Sequence, residues 1–291
     1  MKTFLRRAAL TVFGVFALSY GGMVAWLVAN ESAMVFQPAA YGGREQVPVA
    51  DSLGLDLQAF EIGSTDGVRM ATWIIRGDST GPWLVLCHGN AGNITLARRQ
   101  RYYADLARAG FNLVAFDYRG FGASSDVPPT EQGLYDDATA AYRYLGDTLG
   151  VKPDRIVIYG HSLGGGVATE LAARVPAAGL ILEGTFASVP AVGQERYPWL
   201  PIALLADNRF DNAAKLPGIG KPVLILHARA DGTIPVSHGE RLHGLAREPK
   251  ELVLLGGDHD SAWEADRDRY MTAFTAFVRR VTAPAALGVI P

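Results

Sequence analysis

The chain has 291 residues and a mass of 31.2 kDa, with 49% hydrophobic and 19% charged residues, a balance that excludes a mainly disordered or collagen-like chain. Lys and Arg number 27 against 29 Asp and Glu, for a net charge of −2, so there is no basic surface for the counterion release that drives nucleic-acid binding. The lone Cys87 excludes an intramolecular disulfide and has no Cys/His neighbours at zinc spacing.

The N-terminus differs in composition from the rest. Lys2, Arg6 and Arg7 precede the uncharged 23-residue run Ala8–Asn30. About 20 apolar residues in a helix cross the hydrocarbon core, whereas the apolar part of a cleavable signal is only about 7–15 residues long. Ala17-Leu18-Ser19 offers small residues at cleavage spacing, but a cut there would leave Gly21–Ala29 as an exposed apolar stub. The length therefore favours a retained transmembrane anchor within residues 1–33. With three cations before the run and Glu31 after it, the positive-inside rule puts the N-terminus in the cytoplasm and the bulk of the chain on the non-cytoplasmic side.

Beyond the anchor, Leu57–Ile62 and Val68–Ile75 read as strands joined through the turn-rich Gly63-Ser64-Thr65-Asp66-Gly67, a hairpin. Then follow the short apolar runs Trp83–Cys87, Phe111–Phe116, Ile156–Tyr159, Leu180–Leu182, Val223–Leu226 and Leu252–Leu255. Unbroken apolar strands are buried on both faces. Helical spacing marks Ile94–Ala109, Glu131–Leu149, Leu163–Arg174, Val236–Arg247 and Ser261–Val281. This alternation predicts a parallel sheet with helices on both sides. The Pro-punctuated stretch 188–208 has no strand signal and is read as a small cap in a catalytic domain spanning 34–281, with 282–291 as a tail.

Gly160-His161-Ser162-Leu163-Gly164 is a G-x-S-x-G pattern set between a strand and a helix start. A serine on that tight turn projects its hydroxyl above the sheet, and the flanking glycines leave room for the close helix–strand approach. Such a hydroxyl needs a base, and the base needs an orienting acid. Asp231 follows the strand Pro222–His227, and His259 follows Leu252–Leu255, in the order Ser, Asp, His that this kind of site uses. Taken singly, Asp231 reads as an Asx-turn residue before Gly232 and His259 as a solvated loop histidine. Together with Ser162 they read as a triad. His88 is the main rival base, but its loop, His88-Gly89-Asn90-Ala91-Gly92-Asn93, is better suited to aim N–H groups at a substrate oxygen. The expected oxyanion donors are the N–H groups of Leu163 and Asn90, with Ala91 as an alternative for the latter.

His161 should point away from the hydroxyl, His227 ends a buried strand, and His238 and His243 are expected on a surface helix. Asp258, His259 and Asp260 are adjacent and cannot converge on one metal ion. No Gly-Lys-Ser/Thr ending or G-x-G-x-x-G marks a nucleotide site, and the expected chemistry needs no cofactor. Arg119 is expected to pair with an acid, and Cys87 to be a small core residue.

These pieces, H-G-N-A-G-N, D-Y-R-G-F-G, G-H-S-L-G-G-G, A-R-A-D-G-T-I-P and G-D-H-D behind an anchor and V-F-Q-P, resemble the α/β-hydrolase superfamily over about Met34–Val281. They are similar to its membrane-anchored, bud-emergence-like branch. Ala228-Arg229-Ala230 departs from relatives, which usually carry a glycine before the acid. The resemblance implies an eight-stranded, mostly parallel sheet with a short cap, a triad of Ser162, Asp231 and His259, and oxyanion donors at Asn90 and Leu163. It implies a serine hydrolase acting on esters or thioesters of small-molecule or acylated substrates. A peptidase or amidase on the same triad, and a catalytically silent anchored scaffold, remain the alternatives.

Overall fold

The computed structural model describes residues 1–284; of the expected tail, 285–291 lie outside the described residues. Its strands are β1 (Asp56–Gly63), β2 (Arg69–Arg76), β3 (Trp83–Cys87), β4 (Asn112–Phe116), β5 (Ile156–His161), β6 (Gly179–Glu183), β7 (Val223–Ala228) and β8 (Lys250–Leu255). They form one sheet in the order β1-β2-β4-β3-β5-β6-β7-β8. The hairpin β1–β2 and the β2–β4 pair are antiparallel, and every later pair is parallel.

The helices are α1 (Lys2–Ala29), α2 (Glu31–Val35), α3 (Ala97–Arg108), α4 (Glu131–Arg143), α5 (Leu163–Arg174), α6 (Val189–Arg196), α7 (Ile202–Leu205), α8 (Asn212–Lys215), α9 (Val236–Leu245), α10 (Ala262–Ala265) and α11 (Arg267–Val281). Two cores lie on opposite faces of the sheet. Leu134, Val167, Leu171 and Leu242, from α4, α5 and α9, pack with Ile156 and Ile158 on one face. Tyr102, Leu106, Phe274 and Phe277, from α3 and α11, pack with Val157 and Tyr159 on the other. Adjacent β5 residues thus feed opposite cores, which is why the strand reads as an unbroken apolar run.

Several boundaries differ from the sequence reading. The first helix begins at Lys2, earlier than the apolar run, because Arg6 and Arg7 are good helix formers. The expected helix Glu131–Leu149 ends in a π-turn over Tyr144–Thr148. The expected helix Ser261–Val281 breaks at Asp266, whose backbone is non-helical (φ −131°, ψ 48°) and whose carboxylate accepts from Gly256 N–H at 3.2 Å. Burial on both faces was expected of Leu252–Leu255, but only Leu255 is fully buried, because β8 is an edge strand with a single neighbour. The stretch 188–208 carries α6 and α7 and follows the carboxyl end of β6. Ser188 caps α6 by accepting from Ala191 N–H.

Candidate active site

Ser162 sits between β5 and α5 with φ 53° and ψ −122°, a conformation costing a non-glycine residue on the order of 1–3 kcal/mol. The strain is held by β6 and the residues after it: Ser162 N–H donates to Glu183 C=O at 2.9 Å, and Ser162 C=O accepts from Thr185 Oγ1 at 2.7 Å. The helix packs on the strand through glycines. A Cβ on Gly160 would lie 2.2 Å from Gly164 O, and one on Gly164 would lie 2.0 Å from Cys87 O. The Ser162 side chain makes no capping bond to α5, which leaves its hydroxyl free for another partner.

That partner is His259. Its Nε2 lies 2.9 Å from Ser162 Oγ and its Nδ1 2.7 Å from Asp231 Oδ2. A carboxylate only accepts, so Nδ1 carries the ring proton and Nε2 is left to accept from the serine. Asp231 keeps the Asx-turn geometry as well: its Oδ1 accepts from Thr233 N–H (2.9 Å) and Ile234 N–H (2.7 Å). The two oxygens divide the work, one building the loop and the other orienting the imidazole. Burial by itself would raise the Asp231 pKa, but His227, His259 and the Ile234 N–H outweigh it and hold the carboxyl below the usual range. The His259 loop is shaped by Asp258, which accepts from Ser261 Oγ at 2.8 Å and from Asp260 N–H at 3.2 Å.

The loop from His88 to Asn93 passes over the serine: a Cβ on Gly89 would lie 3.3 Å from Ser162 Cβ. Asn90 is the next residue on this loop. Its side-chain amide donates to Val35 C=O at 3.1 Å, and its own C=O accepts from Gln37 N–H at 3.1 Å. Leu163 is the first residue of α5, so its N–H has no carbonyl partner within the helix. Arg99 brackets the loop from beneath, donating to Asn93 C=O at 2.7 Å and Ala91 C=O at 2.9 Å. Arg99 did not stand out in the sequence, since a lone helix arginine carries no motif, and V-F-Q-P marked the family resemblance without pointing to the contact of Val35 and Gln37 with this loop.

The remaining histidines fall into place. His88 donates through Nδ1 to Gly89 C=O at 2.7 Å and packs against Tyr118 with the rings tilted 43° to each other, while its Nε2 faces Asp117 Oδ1 at 3.5 Å. It lies away from the pair formed by Ser162 and His259. Burial drives its pKa well below the ordinary value. His161 lies beside His259, with ring centroids 5.2 Å apart and Nε2 3.3 Å from His259 O. Burial, then the nearby His259, push it down to about 3. His227 donates to Ile234 C=O at 2.9 Å and lies 3.4 Å from Asp231 Oδ2. His238, expected on a surface, is buried instead. Its Nδ1 accepts from Ala187 N–H at 3.0 Å, because α9 turns that residue toward the segment after β6.

Arg119 pairs with the buried Asp137 at 2.8 Å and with Asp66 at 3.0 Å, and Asp260 pairs with Arg98 at 2.9 Å. Burial pushes the Cys87 thiol up to about 12, which makes it a poor nucleophile. Beneath the serine, the buried Glu183 accepts from Tyr159 at 2.5 Å and from Tyr270, and burial raises its pKa. Among the described residues, no three His, Cys, Asp or Glu side chains converge as metal ligands do.

Residues 82–205 match the family profile for the alpha/beta hydrolase fold. An uncharacterized protein of Mycobacterium tuberculosis, MT2364, is 33% identical over 285 residues, covering 97% of this chain and 98% of that one. Lysophosphatidylserine lipase ABHD12 of Danio rerio is 34% identical over 192 residues, covering 60% of this chain and 50% of that protein. The structure of Pyrococcus furiosus esterase Pf2001 superposes with a TM-score of 0.72 at 20% identity, over 86% of this chain and 100% of that one. With the family profile matched over residues 82–205, and with alpha/beta hydrolase domain-containing protein 17B of Homo sapiens 33% identical over 69% of this chain and 68% of that one, the chain belongs to the α/β-hydrolase family.

Proposed function

We propose that this hydrolase is a membrane-anchored serine esterase or thioesterase acting on small-molecule or acylated substrates, with Ser162, His259 and Asp231 as its triad. His259 Nε2 takes the hydroxyl proton as Ser162 Oγ attacks the acyl carbonyl carbon, and the carbonyl oxygen becomes an oxyanion. The N–H groups of Leu163 and Asn90 receive that charge, and the positive end of α5 points at the same place. The imidazolium then hands its proton to the departing alcohol or thiol oxygen or sulfur. In the second half, His259 deprotonates a water that attacks the acyl-enzyme and restores Ser162. Asp231 holds the imidazole in the tautomer both halves require. No step calls for a cofactor.

The observation that carries the reading is the two-bond relay of 2.9 Å and 2.7 Å through His259. The lipase named among the relatives supports acyl esters as substrates. Reaction with a fluorophosphonate probe tests it: wild type is expected to label and Ser162→Ala not to. Unlabelled wild type, or undiminished labelling of the variant, overturns it. For the anchor, the apolar α1 and the cations before it support a cytoplasmic N-terminus and a catalytic domain on the other side. Alkaline phosphatase fused to the C-terminus should be active, and an inactive fusion reverses the orientation.

A further inference from the structure

The cap holds an apolar surface that the chemistry at Ser162 does not use. Tyr197-Pro198-Trp199-Leu200-Pro201-Ile202-Ala203-Leu204-Leu205-Ala206 contains no charged residue and is bounded by Arg196 and Asp207. Trp199 is 56% exposed and Leu204 85% exposed. A run of this length is too short to span a bilayer and suits an interfacial or re-entrant segment. Part of its backbone is satisfied within the run. Pro198 and Pro201 have no N–H, and Leu200, Leu204 and Ala206 donate to Tyr197, Pro201 and Ile202.

The run abuts α1. Tyr20 OH donates to Trp199 C=O at 3.0 Å, the two rings lie 6.3 Å apart, and Phe16, Ser19 and Met23 complete an apolar recess with them. Glu31, just past α1, accepts from Asp207 N–H at 2.9 Å and Asn208 N–H at 2.8 Å. At about 1.5 Å per residue, Ala8–Ala29 extends roughly 33 Å, close to the roughly 30 Å hydrocarbon core. Tyr20 then lies about 13 Å inside the boundary that Ala29 marks, and about 10 Å even at a 40° tilt. Whatever touches Tyr20 is at acyl-chain depth.

We infer that the cap run Tyr197–Ala206 inserts into the non-cytoplasmic leaflet beside α1, so that acyl-chain esters enter the site from that leaflet. The inference rests on the anchored-esterase reading and deepens it by naming lipid as the substrate class. The occupant of the exposed patch is lipid, because the patch is continuous with the face of the spanning helix.

The test uses full-length protein in phosphatidylcholine and phosphatidylglycerol vesicles, with an environment-sensitive fluorophore on Leu204→Cys or, as a control, on Lys152→Cys at the amino edge of the sheet. Leu204 is exposed, so neither labelling nor substitution there disturbs the core. Nitroxide on acyl carbon 5 of the lipid should quench the Leu204→Cys label and spare the control, and aqueous iodide should do the reverse. A Leu204→Cys label as open to iodide as the control, or shielded from both quenchers as in a protein contact, overturns insertion. In Leu204→Glu, hydrolysis of a water-soluble acetate ester should stay within about twofold. Hydrolysis of a long-chain ester in vesicles should fall about tenfold or more, as a carboxylate resists the acyl region. Equal loss on both substrates overturns leaflet entry. Wild type inert toward every ester would sink the esterase reading, and with it leaflet entry, while the quenching result on insertion would stand.

Discussion

The side-chain amide of Asn90 donates to the main-chain carbonyl of Val35 at 3.1 Å, tying the loop over Ser162 to the segment that follows α1. Gln37 completes the tie by pairing with the loop backbone, in a parallel bridge to Ala91, and Phe36 between them is buried against Phe210, with rings 6.1 Å apart. The segment after α1 and the proposed oxyanion loop are thus parts of one packed unit.

Truncation should expose that dependence. Removing residues 1–30 keeps Phe36, Gln37 and the Val35 carbonyl, and hydrolysis of a soluble ester is expected to persist. Removing residues 1–37 deletes a buried phenylalanine worth about 3–5 kcal/mol and frees the Asn90 loop. Thermal melting should drop, and kcat should fall with it. Equal melting temperatures and rates for the two truncations would show the tie to be unimportant.

Asp231→Asn should leave the fold intact, since an amide oxygen still accepts from Thr233 and Ile234. It loses the ability to hold Nδ1–H toward Oδ2, and kcat is expected to fall on the order of 10^4-fold. Ser162→Ala should fall on the order of 10^6-fold. Steady-state kinetics on one chromogenic ester reads both. A smaller loss for Ser162→Ala than for Asp231→Asn would argue against serine as the nucleophile.

Gly164→Ala tests the strand–helix approach. Its Cβ would meet two backbone oxygens, Cys87 O at 2.0 Å and His88 O at 2.6 Å, neither of which can rotate away. Loss of soluble protein is the expected outcome, or a melting temperature many degrees lower; expression and calorimetry check it. A variant of native stability would mean that α5 can shift without cost.

Asp117 makes stability depend on pH in an unusual direction. Burial lifts its carboxyl to about 7 against the bonds from the Ile94 and Ala123 N–H groups and the Arg99 charge, whereas an unfolded aspartate titrates near 4, at roughly 3.9. Between those values the folded state binds more protons, so this residue's contribution to stability declines as pH rises from about 4 to about 7 and stays low above that. Asp117→Asn removes the decline, and its amide oxygen can still accept from the Ile94 N–H. Urea unfolding should show the variant gaining on wild type by a few kcal/mol, in order of magnitude, between pH 4.5 and pH 8. A gap that stays constant or narrows with pH would contradict the protonated carboxyl.

The elements that were legible from the chain are those whose environment is the same along their length. Strands β3 to β7 are buried on both faces, so a continuous apolar run identifies them without knowing their neighbours. The G-x-S-x-G turn is equally local, because the backbone geometry at Ser162 demands small residues on either side whatever else the protein contains. Lys2, Arg6, Arg7 and the uncharged run after them mark α1, a helix long and apolar enough to cross a membrane, by composition alone.

Where the reading fell short, the deciding contact came from far along the chain. His238 looks exposed on its helix pattern and is buried because residues after β6 fold over it, about fifty positions away. Leu252 to Leu254 have the same chemistry as a central strand and are half-open because, among the described residues, no ninth strand covers β8. Arg99 and Val35 acquire their roles only when two loops meet. Periodicity and turn chemistry are properties of neighbours in sequence, so they survive without coordinates. Burial at an edge, a bracketed loop and the 2.9 Å approach of His259 to Ser162 are properties of neighbours in space, which only the packed sheet brings together.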